Sequence, residues 1–238
     1  MKGIDTVQKV EYILGSVLKI VSLPCKKTIR VMALNILLVL CGYLLGSIPS
    51  AVWIGKKFYG VDVRQYGSKN AGATNTLRVL GRRAALPVFI MDFFKGFASV
   101  KLSLLASYPA DSHELFFLKI ALIVAAVAGH IFPLFAGFKG GKGVATAGGA
   151  SFAMSTLPVL LSIATFFVVL MISHYVSLSS MTAALAFPLY LIFVFHESRS
   201  LVIFGFVVTI ALFITHRKNI RRLINGTESR TYLFKKKK

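Results

Sequence analysis

Leu115-Phe116-Phe117-Leu118-Lys119-Ile120-Ala121-Leu122-Ile123-Val124-Ala125-Ala126-Val127-Ala128-Gly129-His130-Ile131-Phe132-Pro133-Leu134-Phe135-Ala136 is apolar except at Lys119 and His130. A membrane-crossing helix needs roughly 20 such residues, so this stretch predicts a crossing. Working outward, the stretches near 84–108, 31–54 and 199–215 meet the same requirement. Between 144 and 195, Pro158 and the polar group His174 to Ser180 divide the chain into pieces near 144–156, 157–173 and 181–195. Two of these are short, which fits tilted or partly re-entrant helices shielded by neighbours. The fold class that follows is an all-α polytopic integral membrane protein with about seven transmembrane helices, some short or broken.

Composition supports this reading. The 238 residues are 56% hydrophobic, with a mean hydropathy of +0.74, which excludes an ordinary soluble core. The 28 basic and eight acidic residues give a formal charge of +20. The cations occupy short gaps between apolar runs rather than one continuous patch, which favours an anionic membrane face over nucleic acid. Cys25 and Cys41 have no metal-ligand spacing, so neither a disulfide framework nor a zinc site is implied.

The Lys/Arg bias sets the orientation. Lys56, Lys57, Arg64, Lys69, Arg78, Arg82 and Arg83 lie between the first two crossings, whereas the 109–114 connection carries Asp111, Glu114 and no basic residue. The first loop is therefore expected inside and the second outside. Alternation brings the 137–143 loop, the His174 to Ser180 turn and the tail from His216 inside as well, and leaves the N-terminus outside. Residues 1–31 conflict with this, being rich in lysine. They read either as a mis-assigned extension, with translation starting at Met32, or as an amphipathic surface helix on Val10, Ile13, Leu14, Val17, Leu18 and Val21. Residues 32–238 then form the transmembrane domain.

Two polar segments stand out. In Gly67-Ser68-Lys69-Asn70-Ala71-Gly72-Ala73-Thr74-Asn75-Thr76-Leu77-Arg78, small residues permit close backbone approach. Ser68, Asn70, Thr74 and Asn75 offer hydrogen bonds and Arg78 a planar fork, a combination suited to phosphate. A Gly- and Asn-rich turn is the plainer alternative. Gly137-Phe138-Lys139-Gly140-Gly141-Lys142-Gly143 opens a helix at Val144, placing Lys142 and the backbone of Gly140, Gly141 and Gly143 where they can hold an anion. It is not a nucleotide P-loop, because Ala136 replaces its first glycine and Gly143 its Ser/Thr.

The remaining polar residues have modest readings. Asp92 and Lys95, three apart within a crossing, predict an ion pair facing the bundle interior. His130 near a helix end predicts a local hydrogen bond, and at least one of Ser177, Ser179 and Ser180 is expected to cap a helix. His216 and Asn219 share a helix face, and Arg217, Lys218, Arg221 and Arg222 fit a juxtamembrane position.

Gly46-Ser47-Ile48-Pro49, the stretch Gly67 to Gly81, Asp92-Phe93-Phe94-Lys95-Gly96, Gly129-His130-Ile131-Phe132-Pro133, the glycine loop through Thr146, and His216 to Glu228 together resemble the bacterial acyl-phosphate:glycerol-3-phosphate acyltransferase family. The likeness spans nearly everything after residue 31. It implies a seven-helix enzyme of the bacterial inner membrane with a cytoplasmic-facing site, moving a fatty acyl group from acyl phosphate to the 1-hydroxyl of glycerol 3-phosphate. The products would be lysophosphatidic acid and inorganic phosphate. By motif position, Ser68, Thr74, Lys142 and the glycine-loop backbone resemble phosphate ligands, and Arg78, His216 and Asn219 resemble glycerol 3-phosphate contacts. Ser180 is similar to a substrate-binding serine, with Ser177 and Ser179 as alternatives. Lys69 and Lys218 depart from the family, which more often has glycine and glutamate there.

No carboxylate cluster for a dedicated metal appears, so neither a metal nor a cofactor is expected; membrane lipids are the expected surroundings, and the oligomeric state stays open. His-x4-Asp, carried by another type of glycerolipid acyltransferase, does not occur at any of the five histidines. A transporter of organic phosphates would also favour broken helices and basic loops, but the halves show no convincing inverted repeat.

Overall fold

The computed structural model describes residues 28–232. The proposed N-terminal surface helix and the Lys235 to Lys238 tail lie outside the described residues. Helix α1 (28–46) runs to the break at Ser47-Ile48-Pro49. It is followed by α2 (Ser50–Tyr59), α3 (Ala73–Leu80), α4 (Arg82–Lys101), α5 (His113–Ile131), α6 (Val144–Met154), α7 (Thr156–Ser173), α8 (Val176–Phe193), α9 (Arg199–Thr215) and α10 (Arg217–Ile224). No strand occurs among the described residues.

Local chemistry explains the boundaries. Pro49 has no N–H and separates α1 from α2, breaking the expected 31–54 stretch. Ser112 and Ser198 cap α5 and α9 by accepting from Leu115 N and Leu201 N. Gly81, at φ 83°, ends α3 and starts α4. The expected turn from His174 to Ser180 is narrower than its polarity implies. His174 alone takes the left-handed conformation, and the serines lie in the first turns of α8. None of them caps that helix, because each hydroxyl donates elsewhere: Ser177 to Glu228, Ser179 to the Tyr175 carbonyl and Ser180 to that of Val176.

The architecture is all-α and polytopic. Among the described residues, four stretches are long and apolar enough to cross a bilayer: Thr28–Tyr59, His113–Ala136, Thr156–Ser173 and Val176–Phe193. A fifth is counted if α9 is joined with α10 across their 64° bend. The expectation of seven is thus met only in part by length and composition. Helix α4 carries five charged residues, and α6 has only 11 residues, a length of about 16 Å at 1.5 Å per residue.

The core lies where α4, α5, α6, α8 and α9 meet, around Val100, Ile123, Ala150, Phe187, Leu191 and Phe204. Ile36, Leu40, Val124, Ile172 and Ile210 are exposed, an apolar exterior suited to lipid rather than water. Helix α6 lies against α4 at backbone contact. A Cβ on Gly96 would come within 2.0 Å of the Thr146 carbonyl oxygen, and one on Gly149 within 1.9 Å of the Phe93 carbonyl oxygen. Small residues permit such approaches in membranes. This packing fixes the start of α6, and with it the end of the glycine loop.

Candidate active site

The loop 60–72 is built around one amide. Asn75, 1% exposed, donates through Nδ2 to the carbonyls of Val63 (2.7 Å) and Tyr66 (3.1 Å), and its Oδ1 accepts from the Ser68 amide (2.8 Å) and hydroxyl (3.1 Å). Its hydrogen-bonding capacity goes to the loop, while the residue also borders the pocket described below. Asn75→Ala leaves these groups without partners and is expected to cost about 1–3 kcal/mol of stability, read as a lowered thermal midpoint in detergent. Lys69 adopts φ 59°, a left-handed conformation that suits the glycine usual at this position.

A second clamp joins this loop to the glycine loop. The Arg64 guanidinium pairs with both Asp62 carboxylate oxygens and donates to the Ala136 carbonyl at 2.8 Å. Its hydrogen bonds hold the Asp62 carboxyl far below the usual carboxylate range. The glycine loop folds back on the end of α5, with Gly140 N donating to Ile131 O and Gly141 N to His130 O, each at 3.1 Å. Those two N–H groups are therefore not available to an anion, a correction to the expected role of Gly140 and Gly141. The next backbone donors belong to the first turn of α6, which by helix geometry lack intrahelical acceptors. Lys142, Gly143, Val144 and Ala145 border the pocket, whereas Gly140 and Gly141 do not.

The open pocket, a cavity of about 140 Å³, brings together Ser68, Asn70, Thr74, Arg78, Lys142, Gly143, Ser180, His216 and Asn219, which the chain separates by up to 151 positions. Asn75 also touches it, and Phe89, Phe166 and Val176 form an apolar wall. Lys142 Nζ donates to Asn219 Oδ1, and the Thr215 hydroxyl donates to the Lys142 carbonyl at 3.3 Å. Burial pushes the Lys142 ammonium down to about 8; Glu228 opposes the shift, and the charges of Arg78 and Arg222 add to it. Burial likewise lowers Arg78, against the pull of Glu228. Its Nε is buried without a hydrogen-bond partner.

His216, at the junction of α9 and α10 beyond the last apolar stretch, is 2% exposed. Its Nδ1 contacts the Leu212 carbonyl at 2.8 Å. A carbonyl can only accept, so Nδ1 carries the proton and Nε2 is an acceptor. Burial and then the Lys142 charge push the imidazole down to about 4, leaving it neutral at physiological pH.

Glu228 is the residue the sequence reading left without a role. Its Oε1 accepts from Asn219 Nδ2 (2.8 Å) and the Ser177 hydroxyl (3.0 Å) and lies 3.8 Å from Arg78; Oε2 is 3.9 Å from Arg222. The segment bearing it is tied across the α7–α8 turn by Thr231 N donating to His174 O at 2.7 Å. Only its place in a polar tail beside a basic helix hinted at this. The expected Asp92–Lys95 pair forms at 2.8 Å and is buried. His130 does more than close a helix end: it meets Thr146 at 3.1 Å and Asp92 at 3.6 Å.

Fold and pocket together define a polytopic helical membrane protein whose polar loops meet at a pocket bordered by Arg78 and Lys142. The chain belongs to the glycerol-3-phosphate acyltransferase family, whose model matches residues 36–226. It is 44% identical over 211 residues to a glycerol-3-phosphate acyltransferase of Salinibacter ruber, covering 83% of this chain and 92% of that protein. With glycerol-3-phosphate acyltransferase 2 of Bacillus anthracis it shares 42% over 198 residues, covering 83% and 99%. Among solved structures, it is similar to PlsY (YgiH), an integral membrane glycerol 3-phosphate acyltransferase. The glycerol 3-phosphate form matches with a TM-score of 0.75 and 39% identity, over 83% of this chain and 96% of that one. The lysophosphatidic acid form matches with 0.73 and 38%, over 83% and 95%.

Proposed function

We infer that this enzyme transfers a fatty acyl group from acyl phosphate to the 1-hydroxyl of sn-glycerol 3-phosphate, producing lysophosphatidic acid and inorganic phosphate. The observation that carries the site assignment is the convergence of Arg78, Lys142, the start of α6, His216 and Asn219 on one pocket with an apolar wall. Two phosphorylated reactants repel each other, and Lys142 with Arg78 offsets that repulsion. Arg78, His216 and Asn219 hold glycerol 3-phosphate. Ser68, Thr74 and the α6 N-terminus bind phosphate oxygens, with Lys142 between the two anions. Asn70 and Ser180 line the remaining polar rim. The acyl chain leaves past Phe89, Phe166 and Val176 towards lipid.

In the reaction the glycerol hydroxyl oxygen attacks the acyl carbon, a new ester C–O bond forms, and the C–O bond to phosphate breaks. The phosphate leaves with the bonding pair and takes the hydroxyl proton. Acyl phosphate is an activated mixed anhydride, so positioning and charge neutralisation supply most of what the step needs. A neutral His216 of depressed basicity suits it to accepting a hydrogen bond from the hydroxyl rather than to holding the proton, and the departing phosphate is the better base.

Seven crossings suit this arrangement: α1 with α2, then α4, α5, α6, α7, α8 and α9. The ions that spoil α4 by composition, Asp92 and Lys95, are paired and buried at 2% and 6% exposure, and the short α6 is shielded by α4. The basic loops then face the cytoplasm in the bacterial inner membrane.

Purified protein supplied with acyl phosphate and glycerol 3-phosphate tests the reading. Equal release of phosphate and lysophosphatidic acid supports it; vesicle uptake of glycerol 3-phosphate without either product would identify a transporter instead. The reading also fixes a pH dependence. With its pKa lowered to about 8, Lys142 is cationic below that pH and loses its charge above it. The KM for glycerol 3-phosphate is therefore expected to rise as pH passes through 8, whereas kcat changes less because a bound dianion restores the proton. The contribution to folding has the opposite sense: a depressed lysine destabilises below about 8, and the penalty fades as pH approaches the unfolded value.

A further inference from the structure

We propose that His130 is a positioning residue for the reaction, its imidazole seated among Thr146, Asp92 and Gly141 so as to hold the segment that presents Lys142 and the first turn of α6. The inference rests on the proposed role of Lys142 and extends it to a buried network that the phosphate-binding reading does not use.

His130 is 5% exposed. On one side its Nδ1 lies 3.1 Å from the Thr146 hydroxyl and 3.6 Å from Asp92 Oδ1. On the other, Nε2 lies against Gly141, where a Cβ would fall only 2.1 Å away. The backbone of the same histidine accepts the Gly141 N–H. One residue therefore touches both Gly141, just before Lys142, and Thr146, in the first turn of α6. The imidazole thus braces both ends of the segment 141–146.

The imidazole is itself held. Asp92 Oδ1 accepts from Ser50 Oγ at 2.7 Å and pairs with Lys95 at 2.8 Å, and Lys95 Nζ also donates to the Ile48 carbonyl at 2.9 Å. Ile48 and Ser50 flank the proline break between α1 and α2, so the network links that break to α4, α5 and α6. Asp92, Lys95, Ser50 and Thr146 are all buried. A local helix-end hydrogen bond would need none of them. Asp92 and His130 border the same pocket as Lys142, and their convergence beside the glycine loop gives a costly buried ion pair a mechanical use, which is to anchor a loop whose displacement by about 1 Å is enough to lose on the order of 100-fold in rate.

The test uses full-length protein and two independent comparisons. Thr146→Val removes the hydroxyl at nearly constant shape, and Thr146→Ser retains it. The KM for glycerol 3-phosphate is expected to rise about tenfold in the valine variant, a fraction of the loss that a 1 Å misplacement causes, with the serine variant close to wild type and kcat changed less than KM in both. In the second comparison, Gly141→Ala is measured with His130 present and in a His130→Ala background. Alanine at 141 is expected to be far more damaging when the imidazole is present, because its Cβ meets Nε2 at 2.1 Å, whereas the Ala71 carbonyl oxygen, present in both backgrounds, lies at 3.0 Å. An unchanged KM in folded Thr146→Val, or additive losses in the Gly141/His130 comparison, overturns the inference; if the valine variant does not fold, the second comparison decides alone. Lys142→Ala is run alongside. If it leaves kcat/KM unaltered, the site assignment itself fails, whereas a loss there with no response at Thr146 defeats only the role given to His130.

Discussion

Lys142→Ala is expected to lower kcat/KM for acyl transfer by about 10²–10³-fold, the loss typical of removing one preorganised group that stabilises developing charge. The ammonium is partly buried, hydrogen-bonded to Asn219 and flanked by Arg78. In the proposed role it acts where water screens it poorly, on charge that grows at the leaving phosphate as the acyl bond breaks. Its removal relieves a cation that burial disfavours, so the thermal midpoint is expected to stay constant or rise. Initial rates of lysophosphatidic acid formation, paired with thermal unfolding in the same detergent, separate these effects. A rate within threefold of wild type, well short of the loss expected for such a group, would show that Lys142 does not face the reacting phosphate.

Gly149→Ala is expected to be the most damaging change away from the pocket. The added Cβ meets the Phe93 carbonyl oxygen at 1.9 Å, a backbone atom that cannot rotate aside. Helices α4 and α6 must separate, and the cost is expected at about 3 kcal/mol, the upper range for overpacking. Because α6 begins at Val144, its displacement also moves Gly143 and Lys142, and activity is expected to fall with stability. Gly148, beside it, has open space where its Cβ would lie, so Gly148→Ala is the matched control and is expected to melt near wild type. Equal behaviour of the two variants would contradict the close packing of α4 on α6.

Chemistry that resides in residue types was legible in the sequence. Short polar breaks in an apolar chain marked the loops at 67–78 and 137–143, and Asp92 with Lys95 at helical spacing marked an ion pair. What was not legible depends on direction and depth. Asn75 has the composition of a ligand, but its amide faces inward to hold the carbonyls of Val63 and Tyr66. Gly140 and Gly141 have the composition of an anion loop, yet their N–H groups close a turn on α5. Glu228 is one acid in a basic tail, and only folding the tail across the α7–α8 turn brings it to Asn219 and Ser177. The short α6 was hard to place because a helix shielded by α4 needs neither the length nor the uniform apolarity of a lipid-facing crossing.

The claim beneath these results is that both phosphorylated reactants occupy the pocket together and that the acyl group passes directly between them. Rapid mixing of the purified enzyme with acyl phosphate, with and without glycerol 3-phosphate, addresses it most directly. Direct transfer predicts no enzyme-stoichiometric burst of phosphate from the donor alone, and phosphate appearing with lysophosphatidic acid when both are present. A phosphate burst equal to the enzyme concentration in the absence of glycerol 3-phosphate would reveal an acyl-enzyme and contradict the account.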